Sequence, residues 1–386
     1  MSLPVQRNAL RVLFVDDSAA TRQLCAEQLG KDTSLHILGV VPDPASALRR
    51  IHSENPDVVV IDIEMPRCGG VSIVQQIMRE RPTPVVIFSP LSGRSADLGV
   101  SAMAAGAIAT VRKPQTTLMS SLHSAGLSLL GAIQEASRAK ARLSRPTTGF
   151  SHAMSAGELI RNARATSGEA PAQLNSLVRS KESADSMLPS SPGRRALPGG
   201  ERLIAIGAST GGTQALEAIL TKLPANLPGI VIVQHMPEKF TAMFATRLNE
   251  MCKLEIREAR NGDKVRPGHV LIAPGGRHMM IKRSGSGYHV EVADGPLVNR
   301  HKPSVDLMFR SVAMSAGASA TGFILTGMGD DGARGLKEMH DAGARTIAQD
   351  EFSCVVFGMP KVAIAMGGVD KIVPLDRIHS EISSGA

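Results

Sequence analysis

The chain has 386 residues, of which 43% are hydrophobic and 20% charged, and these ordinary values exclude a disordered or fibrous protein. The length predicts two or three domains, each large enough to bury its own core. The net charge of +8 raises the question of nucleic-acid binding, but ten basic and five acidic residues lie at positions 135–200, so this segment alone carries +5. We interpret it as a solvated linker rather than a binding patch, and expect no nucleic-acid partner.

Apolar runs and cysteines point to a cytoplasmic protein without membrane insertion. No apolar run approaches the ~20 residues of a membrane span, and the first one ends at Asp16. The four cysteines lie far apart and form no C-x-x-C pair, which favours a reducing compartment and no structural zinc. With 3% aromatic residues and no Trp, a stacking platform for single-stranded nucleic acid is not expected.

Between residues 10 and 135, short apolar runs alternate with helical stretches. The runs are bounded by Pro, Gly and Asp and lack polar alternation, as buried parallel strands do. Ser18 and the pair Asp43–Pro44 are helix-start signals, and Gly30 is a helix-end signal. Five such β–α units predict a doubly wound α/β domain. The strand-like runs are LRVLFV, LHILGVV, DVVVI, PVVIF and AIATV.

Residues 136–200 are rich in Ser, Ala, Pro and Gly and predict a flexible basic linker, with short helices at 158–165 or 173–181 as an alternative. Residues 201–386 then open a second α/β block with a largely parallel sheet. Its elements begin with the strand LIAIGAS, the helix GTQALEAILTKL and the strand GIVIVQHM. Later come VLIAPGG, TGFILTG, the helix DGARGLKEMHDAG and the strand TIAQD.

Polar residues follow successive strands of the first block: Asp16, Asp17, Asp62, Ser89 and Lys113. The carboxyl ends of parallel strands meet at one sheet edge, where three carboxylates repel each other unless a cation lies among them. Mg²⁺, which prefers oxygen ligands, is the expected occupant. A carboxylate beside it can attack a phosphoryl donor while the lysine neutralises charge.

The second block places Ser209 in a glycine-rich turn between a strand and a helix, which suits either a nucleophile or a phosphate cradle. His235 ends the next strand, and Asp330 and Asp331 follow another strand. A histidine base and a carboxylate at the same sheet edge favour a serine nucleophile over a phosphate cradle. The order Ser, His, Asp disfavours the α/β-hydrolase fold, and no nucleotide-binding motif is present.

The first block resembles the response-regulator receiver domain through FVDDS, VVVIDIEMP, VIFSP and VRKP. The resemblance implies that Asp62 accepts a phosphoryl group, that Asp16, Asp17 and Asp62 bind Mg²⁺, and that Ser89 and Lys113 sense the phosphoryl group. Two departures concern signal output. Gly69-Gly70 stand where the family usually has Asp-Gly, and Thr110 replaces an aromatic switch residue.

The second block resembles the chemotaxis methylesterase (CheB) family through AIGASTGGTQAL, VIVQHMPEKFT, VLIAPGGRHM, HKPSVDLMF and LTGMGDDGARGL. The resemblance implies hydrolysis of glutamate γ-methyl esters on methyl-accepting chemotaxis receptors, commonly with deamidation of glutamines, and no cofactor for this reaction. It makes Ser209 the nucleophile, His235 the base and Asp331 its orienter. Thr210 and Met328 assist, Met328 through its backbone N–H in an oxyanion hole.

We therefore expect a phosphorylation-gated serine esterase whose phosphodonor is a chemotaxis histidine kinase. In this hypothesis the receiver covers the catalytic cleft until phosphorylation of Asp62 shifts the population to an open form. Two other classes stay open. One is a response regulator with a catalytically silent output domain. The other is a transcriptional regulator using the basic linker, for which no helix-turn-helix pattern follows the receiver.

Overall fold

The computed structural model describes residues 9–27, 29–65, 70–90, 98–99, 101–103, 105–113, 126, 129–134, 136–137, 182–189, 200–238 and 240–384. The chain divides into two compact units, Met1–Thr148 and Gly149–Ala386. Gly69 and the alternative linker helices at 158–165 and 173–181 lie outside the described residues, as does much of the first block's last predicted helix.

The described part of the first unit forms a five-stranded parallel sheet of order β2-β1-β3-β4-β5. Its strands are β1 (Leu10–Val15), β2 (Leu35–Val41), β3 (Val58–Ile61), β4 (Val85–Ser89) and β5 (Ala109–Arg112). The helices with complete bounds in this part of the chain are α1 (Ala19–Glu27), α2 (Pro44–Glu54) and α3 (Gly70–Glu80), and residues 98–99, 101–103, 126, 129–134 and 136–137 are also helical. The predicted parallel α/β sheet is confirmed.

Local sequence signals explain these elements. β3 and β4 are buried along their whole length, which is why their runs VVVI and VVIFS contain almost only apolar residues. The side chain of Asp43 accepts a hydrogen bond from the Ser46 N–H at 2.9 Å and caps α2, where Pro44 occupies the first turn. The hydroxyl of Ser18 likewise accepts from the Thr21 N–H, at 3.2 Å, just before α1.

The second unit contains a seven-stranded parallel sheet of order β15-β14-β13-β6-β7-β10-β8 and a three-stranded antiparallel sheet of order β11-β12-β9. The strands are β6 (Leu203–Ala208), β7 (Gly229–Gln234), β8 (Glu255–Glu258), β9 (Lys264–Val265), β10 (His269–Ile272), β11 (His278–Ser284), β12 (Gly287–Ala293), β13 (Ala320–Ile324), β14 (Arg345–Gln349) and β15 (Lys371–Val373). The helices are α4 (Gly212–Leu220), α5 (Phe240–Met251), α6 (Val305–Ser315), α7 (Ala333–Asp341), α8 (Met359–Ala365) and α9 (Leu375–Ser384). The prediction of a largely parallel sheet is confirmed.

The antiparallel hairpin of β11 and β12 is an element that the sequence reading did not separate. Ser284 pairs with Gly287, so only Gly285 and Ser286 form the turn, and Gly285 has a φ of +64°. A two-residue turn of this kind requires a left-handed residue, which glycine provides. The Gly-Ser pair between two β-like runs was the available signal.

The central strands bring three chain segments to one edge of the large sheet. β6 lies between β7 and β13, with Ala208 opposite Gln234 and Gly207 opposite Ile324. The residues that follow these three strands therefore leave the sheet side by side. In an open parallel sheet, binding and catalytic residues gather at this edge.

Residues 182–189 lie inside the predicted flexible linker but pack against the second unit. Ala184 is only 2% exposed and belongs to an apolar cluster with Met280, Val298 and Leu307. Asp185 pairs with Arg310, which lies 125 residues further along the chain. The structure thus differs here from the sequence interpretation, because partners so distant leave no trace in local composition.

We expect a core substitution in β13 to destabilise the second unit far more than a matched surface one. Phe323 is fully buried, whereas Phe352 is 68% exposed. Phe323→Ala should cost about 3–5 kcal/mol of unfolding free energy through lost burial and a cavity. Phe352→Ala should leave the calorimetric transition of this unit almost unchanged. Equal shifts for the two variants would contradict the described core.

Candidate active site

Ser209 stands in a rigid turn between β6 and α4. Its N–H donates to the Thr326 carbonyl at 3.0 Å, and its carbonyl accepts from Nε2 of Gln234 at 2.9 Å. Gly211 adopts a φ of +76°, and a Cβ there would lie 2.5 Å from the Val355 side chain. Only glycine satisfies both demands. The serine is thus presented at the N-terminus of α4 by a backbone bonded to both neighbouring strands.

His235 follows β7, and its N–H donates to the Ala208 carbonyl at 3.1 Å, which places it beside the Ser209 turn. Its Nε2 lies 2.8 Å from Oδ2 of Asp331. Its Nδ1 is buried and has no hydrogen-bond partner among the described residues. An ionised carboxylate only accepts, so Nε2 carries the proton and Nδ1 carries the lone pair. That lone pair is the one a general base would use.

Asp331 is almost fully buried and accepts five hydrogen bonds. Oδ2 accepts from Nε2 of His235 and from the Val305 N–H, at 2.8 and 2.7 Å. Oδ1 accepts from Nδ2 of Asn299, Oγ of Ser304 and the Asp306 N–H, at 2.8, 2.8 and 3.2 Å. Two of these donors are free N–H groups of the first turn of α6, whose dipole favours a negative charge.

Burial alone would raise the pKa of Asp331. The hydrogen bond from His235 and the electrostatic attraction of its ring, followed by the attraction of His301 and the Asn299 bond, outweigh burial and hold the pKa of Asp331 well below its ordinary value. Asp331 is therefore a carboxylate throughout the neutral range. It is suited to orient an imidazole and to stabilise its protonated form.

The neighbouring Asp330 is exposed, whereas Asp331 is buried. Its carbonyl accepts the Ala333 N–H at 3.0 Å and closes the turn that starts α7. Of the two aspartates that the sequence left adjacent, Asp331 is the one that contacts His235.

His301 is a component that sequence reasoning did not assign. Its ring stacks on that of His235, with 3.7 Å between centroids and 7° between planes. It follows Asn299 and Arg300, whose φ values of +52° and +70° are left-handed. Such conformations are strained for residues with a Cβ and persist where surrounding contacts enforce them. The motif HKPSVDLMF contains His301, but nothing in its spacing indicates a stacking role.

Thr210 follows Ser209 in the chain, and Met328 belongs to the turn that follows β13. Thr210 is buried, and its carbonyl accepts from the hydroxyl of Thr326 at 2.8 Å. Met328 follows Gly327, where a Cβ would lie only 2.7 Å from the Cβ of Ser209. No described residue accepts a hydrogen bond from the Met328 N–H. Met328 thus follows a residue that packs against Ser209, and its N–H has no acceptor among the described residues.

The first unit brings Asp16, Asp17 and Asp62 together, with ligand oxygens within 4.8 Å of one another. Nζ of Lys113 lies 2.5 Å from Oδ2 of both Asp16 and Asp62. Burial raises the pKa of Asp62, and the hydrogen bonds from Lys113 and the Glu64 N–H only partly offset it. Three carboxylates facing one ammonium leave an excess of negative charge, which suits a hard divalent cation.

Ser89 ends β4 at the same edge. Its hydroxyl is fully buried and has no hydrogen-bond partner among the described residues. Its carbonyl accepts the Lys113 N–H at 2.8 Å, which ties the two predicted sensing residues together. A buried hydroxyl without a partner is costly, so it marks a place for an acceptor such as a phosphoryl oxygen.

Comparison with known proteins gives two family matches. Residues 204–382 match the CheB methylesterase model, and residues 12–123 match the response regulator receiver domain. A protein-glutamate methylesterase/protein-glutamine glutaminase 2 of Dechloromonas aromatica is 54% identical over 97% of both chains. This chain belongs to the CheB family.

Two further proteins are similar to this chain. A protein-glutamate methylesterase/protein-glutamine glutaminase 2 of Pseudomonas syringae is 51% identical, over 97% of this chain and 98% of its own. The crystal structure of the Thermotoga maritima CheB methylesterase catalytic domain is 37% identical, with a TM-score of 0.47. It covers 48% of this chain and 99% of that chain.

In this CheB protein a second carboxylate, Asp306, lies buried behind Asp331. It accepts hydrogen bonds from Nδ2 of Asn299 and, at 2.7 Å, from the Gly335 N–H. Burial and then the charge of Asp331 raise the pKa of Asp306 to about 7. The pKa values of the two buried carboxylates thus shift in opposite directions, because Asp331 accepts more hydrogen bonds, including the one from His235.

This opposition predicts a pH dependence of stability. Between the ordinary pKa of 3.8 and about 7, Asp306 ionises in the unfolded chain but stays protonated in the fold, so stability falls as pH rises. Asp306→Asn removes this slope. The melting temperature of the variant relative to wild type should rise from about pH 4 to about pH 7 and then level off.

Calorimetry of the catalytic-unit transition measures this difference. Asp341→Asn, at an exposed carboxylate of α7, is the matched control and should show no such rise. An Asp306→Asn difference that is independent of pH would contradict the assignment.

Proposed function

We propose that this protein is a phosphorylation-regulated serine esterase that hydrolyses glutamate γ-methyl esters on methyl-accepting chemoreceptors, and that the same site deamidates receptor glutamines. The observation that carries the proposal is the state of His235. One ring nitrogen is bonded to a buried carboxylate, and the other is buried and has no hydrogen-bond partner among the described residues, while the His235 N–H is bonded to the carbonyl of Ala208, the residue before Ser209. The names of the relatives, protein-glutamate methylesterase/protein-glutamine glutaminase, supply the substrate class.

The chemistry follows from these positions. Oγ of Ser209 attacks the ester carbonyl while Nδ1 of His235 takes its proton, and Asp331 stabilises the imidazolium. Collapse of the tetrahedral intermediate breaks the C–O bond, and methanol leaves with the proton from Nδ1. A water molecule, deprotonated by Nδ1, then cleaves the acyl-enzyme to free glutamate and Ser209. With glutamine the leaving group is ammonia.

The oxyanion of each tetrahedral intermediate needs donors that are fixed in advance. We assign this role to the N–H of Met328, which no described residue uses, with Thr210 helping to shape the site. The side of Ser209 that faces the Gly327–Met328 turn would then bind the carbonyl oxygen. Loss of one such donor costs about 10²–10³ in turnover.

The receiver unit is proposed to accept a phosphoryl group on Asp62 from a chemotaxis histidine kinase. Asp16, Asp17 and Asp62 would hold Mg²⁺, which would neutralise charge on the transferred group. Lys113 already contacts Asp62, and the unpaired hydroxyl of Ser89 is available to a phosphoryl oxygen. The ester hydrolysis itself is assigned to side chains and backbone groups alone.

We place the receiver at 10–135, the linker at 136–200, of which residues 182–189 pack on the catalytic unit, and the catalytic domain at 201–386. The family matches at 12–123 and 204–382 support these limits. A cytoplasmic location is proposed because the four cysteines are widely spaced, and Cys252 and Cys354 are free thiols. None of the helices described has the length and apolar character needed to cross a bilayer.

The competing proposal is a catalytically silent output domain. We expect Asp331→Asn to lower methanol release from methylated receptor by about 10⁴, because the amide favours the wrong tautomer of His235. Asp330→Asn, at the exposed neighbour, should keep most of the activity. Circular dichroism checks the folding of both variants. A dead Asp330→Asn beside an active Asp331→Asn would refute the triad, and a wild type that releases no methanol would favour the silent domain.

Phosphorylation gives a separate prediction. A small acyl phosphate with Mg²⁺ should label the wild type and raise its methylesterase rate, whereas Asp62→Asn should show neither effect. Asp32→Asn, which lies in the same unit but outside the acidic cluster, is the control and should label normally. Undiminished labelling of Asp62→Asn would falsify the assignment of the phospho-acceptor.

A further inference from the structure

Residues 182–189, here named the strap, pack on the catalytic unit as if they were part of its core. Ala184, Met187 and Leu188 form a cluster that also contains Met280, Ala293, Val298 and Leu307. The contact is close. A Cβ on Gly295 would lie only 2.5 Å from Sδ of Met187. The strap therefore covers apolar surface contributed by β11, α6 and the segment 294–303, named the Asn299 loop.

Buried charge anchors the strap from the other side. Arg310 of α6 is 2% exposed, and its Nη1 donates to Oδ1 of Asp185 at 2.8 Å and to the Leu188 carbonyl at 2.7 Å. Its Nε and Nη2 each donate to the carboxylate of Glu338, both at 2.7 Å. Arg334 adds a second, exposed contact to Asp185 at 2.9 Å. A buried guanidinium is stable only with its donors satisfied, so Arg310 requires the strap.

The strap also holds the Asn299 loop through the backbone. The Asn299 N–H donates to the Glu182 carbonyl at 2.8 Å, and Glu182 and Val298 form a parallel bridge. From this fixed backbone, Nδ2 of Asn299 reaches Oδ1 of Asp331 at 2.8 Å. Two residues further, the ring of His301 stacks on His235. One continuous set of contacts thus connects the strap to two members of the triad.

We infer that the strap is a positioning element of the active site, which keeps Asn299 and His301 in place against Asp331 and His235. The left-handed backbone at Asn299 and Arg300 needs contacts from outside the loop to persist. Among the described residues, the strap supplies such a contact through the Glu182 carbonyl, which accepts the Asn299 N–H. Release of the strap would let the loop relax and would loosen the His235 ring. The inference rests on the proposed esterase function for its kinetic consequences.

The test uses two full-length variants with the same new charge. Ala184→Arg places an arginine in the buried cluster and should displace the strap, whereas Ser186→Arg places it at an exposed strap position. With a γ-methyl-glutamyl receptor peptide, Ala184→Arg should lower kcat by about 10- to 100-fold, because small misplacements of catalytic groups have such effects. KM should stay within about twofold, since the inference assigns the strap an effect on Asn299 and His301 and not on substrate binding. Ser186→Arg should match wild type.

Hydrogen exchange and a double-mutant cycle decide between positioning and general damage. Peptides covering 294–303 should exchange faster in Ala184→Arg than in Ser186→Arg. In a His301→Ala background, Ala184→Arg should lower kcat much less than in wild type, because the two changes act through the same contact. Full additivity, or a wild-type kcat in Ala184→Arg, would overturn the inference.

Two other failures remain distinguishable. If Ala184→Arg does not fold by circular dichroism, Asp185→Asn, which removes only the charge facing Arg310 and Arg334, is judged by the same kinetic and exchange criteria. If wild type releases no methanol, the proposed function fails. The hydrogen exchange of the loop then decides alone whether the strap holds it, and unchanged exchange would reject the strap.

Discussion

The buried carboxylate of Asp331 is the group on which most of the catalytic unit depends. An ionised carboxylate without solvent is tolerated only if hydrogen bonds replace its water, and here five donors do so. These donors come from the end of β7, the Asn299 loop and the start of α6. One side chain therefore joins three segments that are distant in sequence, and its role in folding and its proposed role in catalysis have the same physical origin.

The two units use carboxylates in opposite ways, and the number of donors accounts for the difference. Asp331 is saturated with donors, so it stays charged and can only orient and stabilise. Asp62 has Lys113 and one backbone N–H, and burial still raises its pKa, so its charge is poorly compensated. A carboxylate in that condition gains stability from a cation beside it.

The sequence predicted which site residues lie together when those residues follow the ends of parallel strands. Strand ends meet at one edge whatever the loops do, so Asp16, Asp62 and Lys113 in one unit, and Ser209 and His235 in the other, could be grouped in advance. The choice between Asp330 and Asp331 could not be made from spacing, because it depends on which side chain turns toward α6. His301 comes from a loop between β12 and α6, outside the strand-end rule, and its stacking depends on an irregular left-handed backbone.

Arg310 explains why the sequence did not predict that residues 182–189 belong to the packed catalytic unit. A segment of eight residues with few apolar side chains buries too little surface to order itself, and its composition resembles that of the linker around it. The segment is held by the buried guanidinium of Arg310, which donates hydrogen bonds to Asp185 and to the Leu188 carbonyl. Arg310 in turn would be costly to bury without these acceptors. The first strand of the sheet begins at Leu203, but the interactions that complete α6 and the Asn299 loop begin at Glu182. The residues that stabilise the catalytic unit therefore begin at Glu182, about twenty residues before the first strand of its sheet.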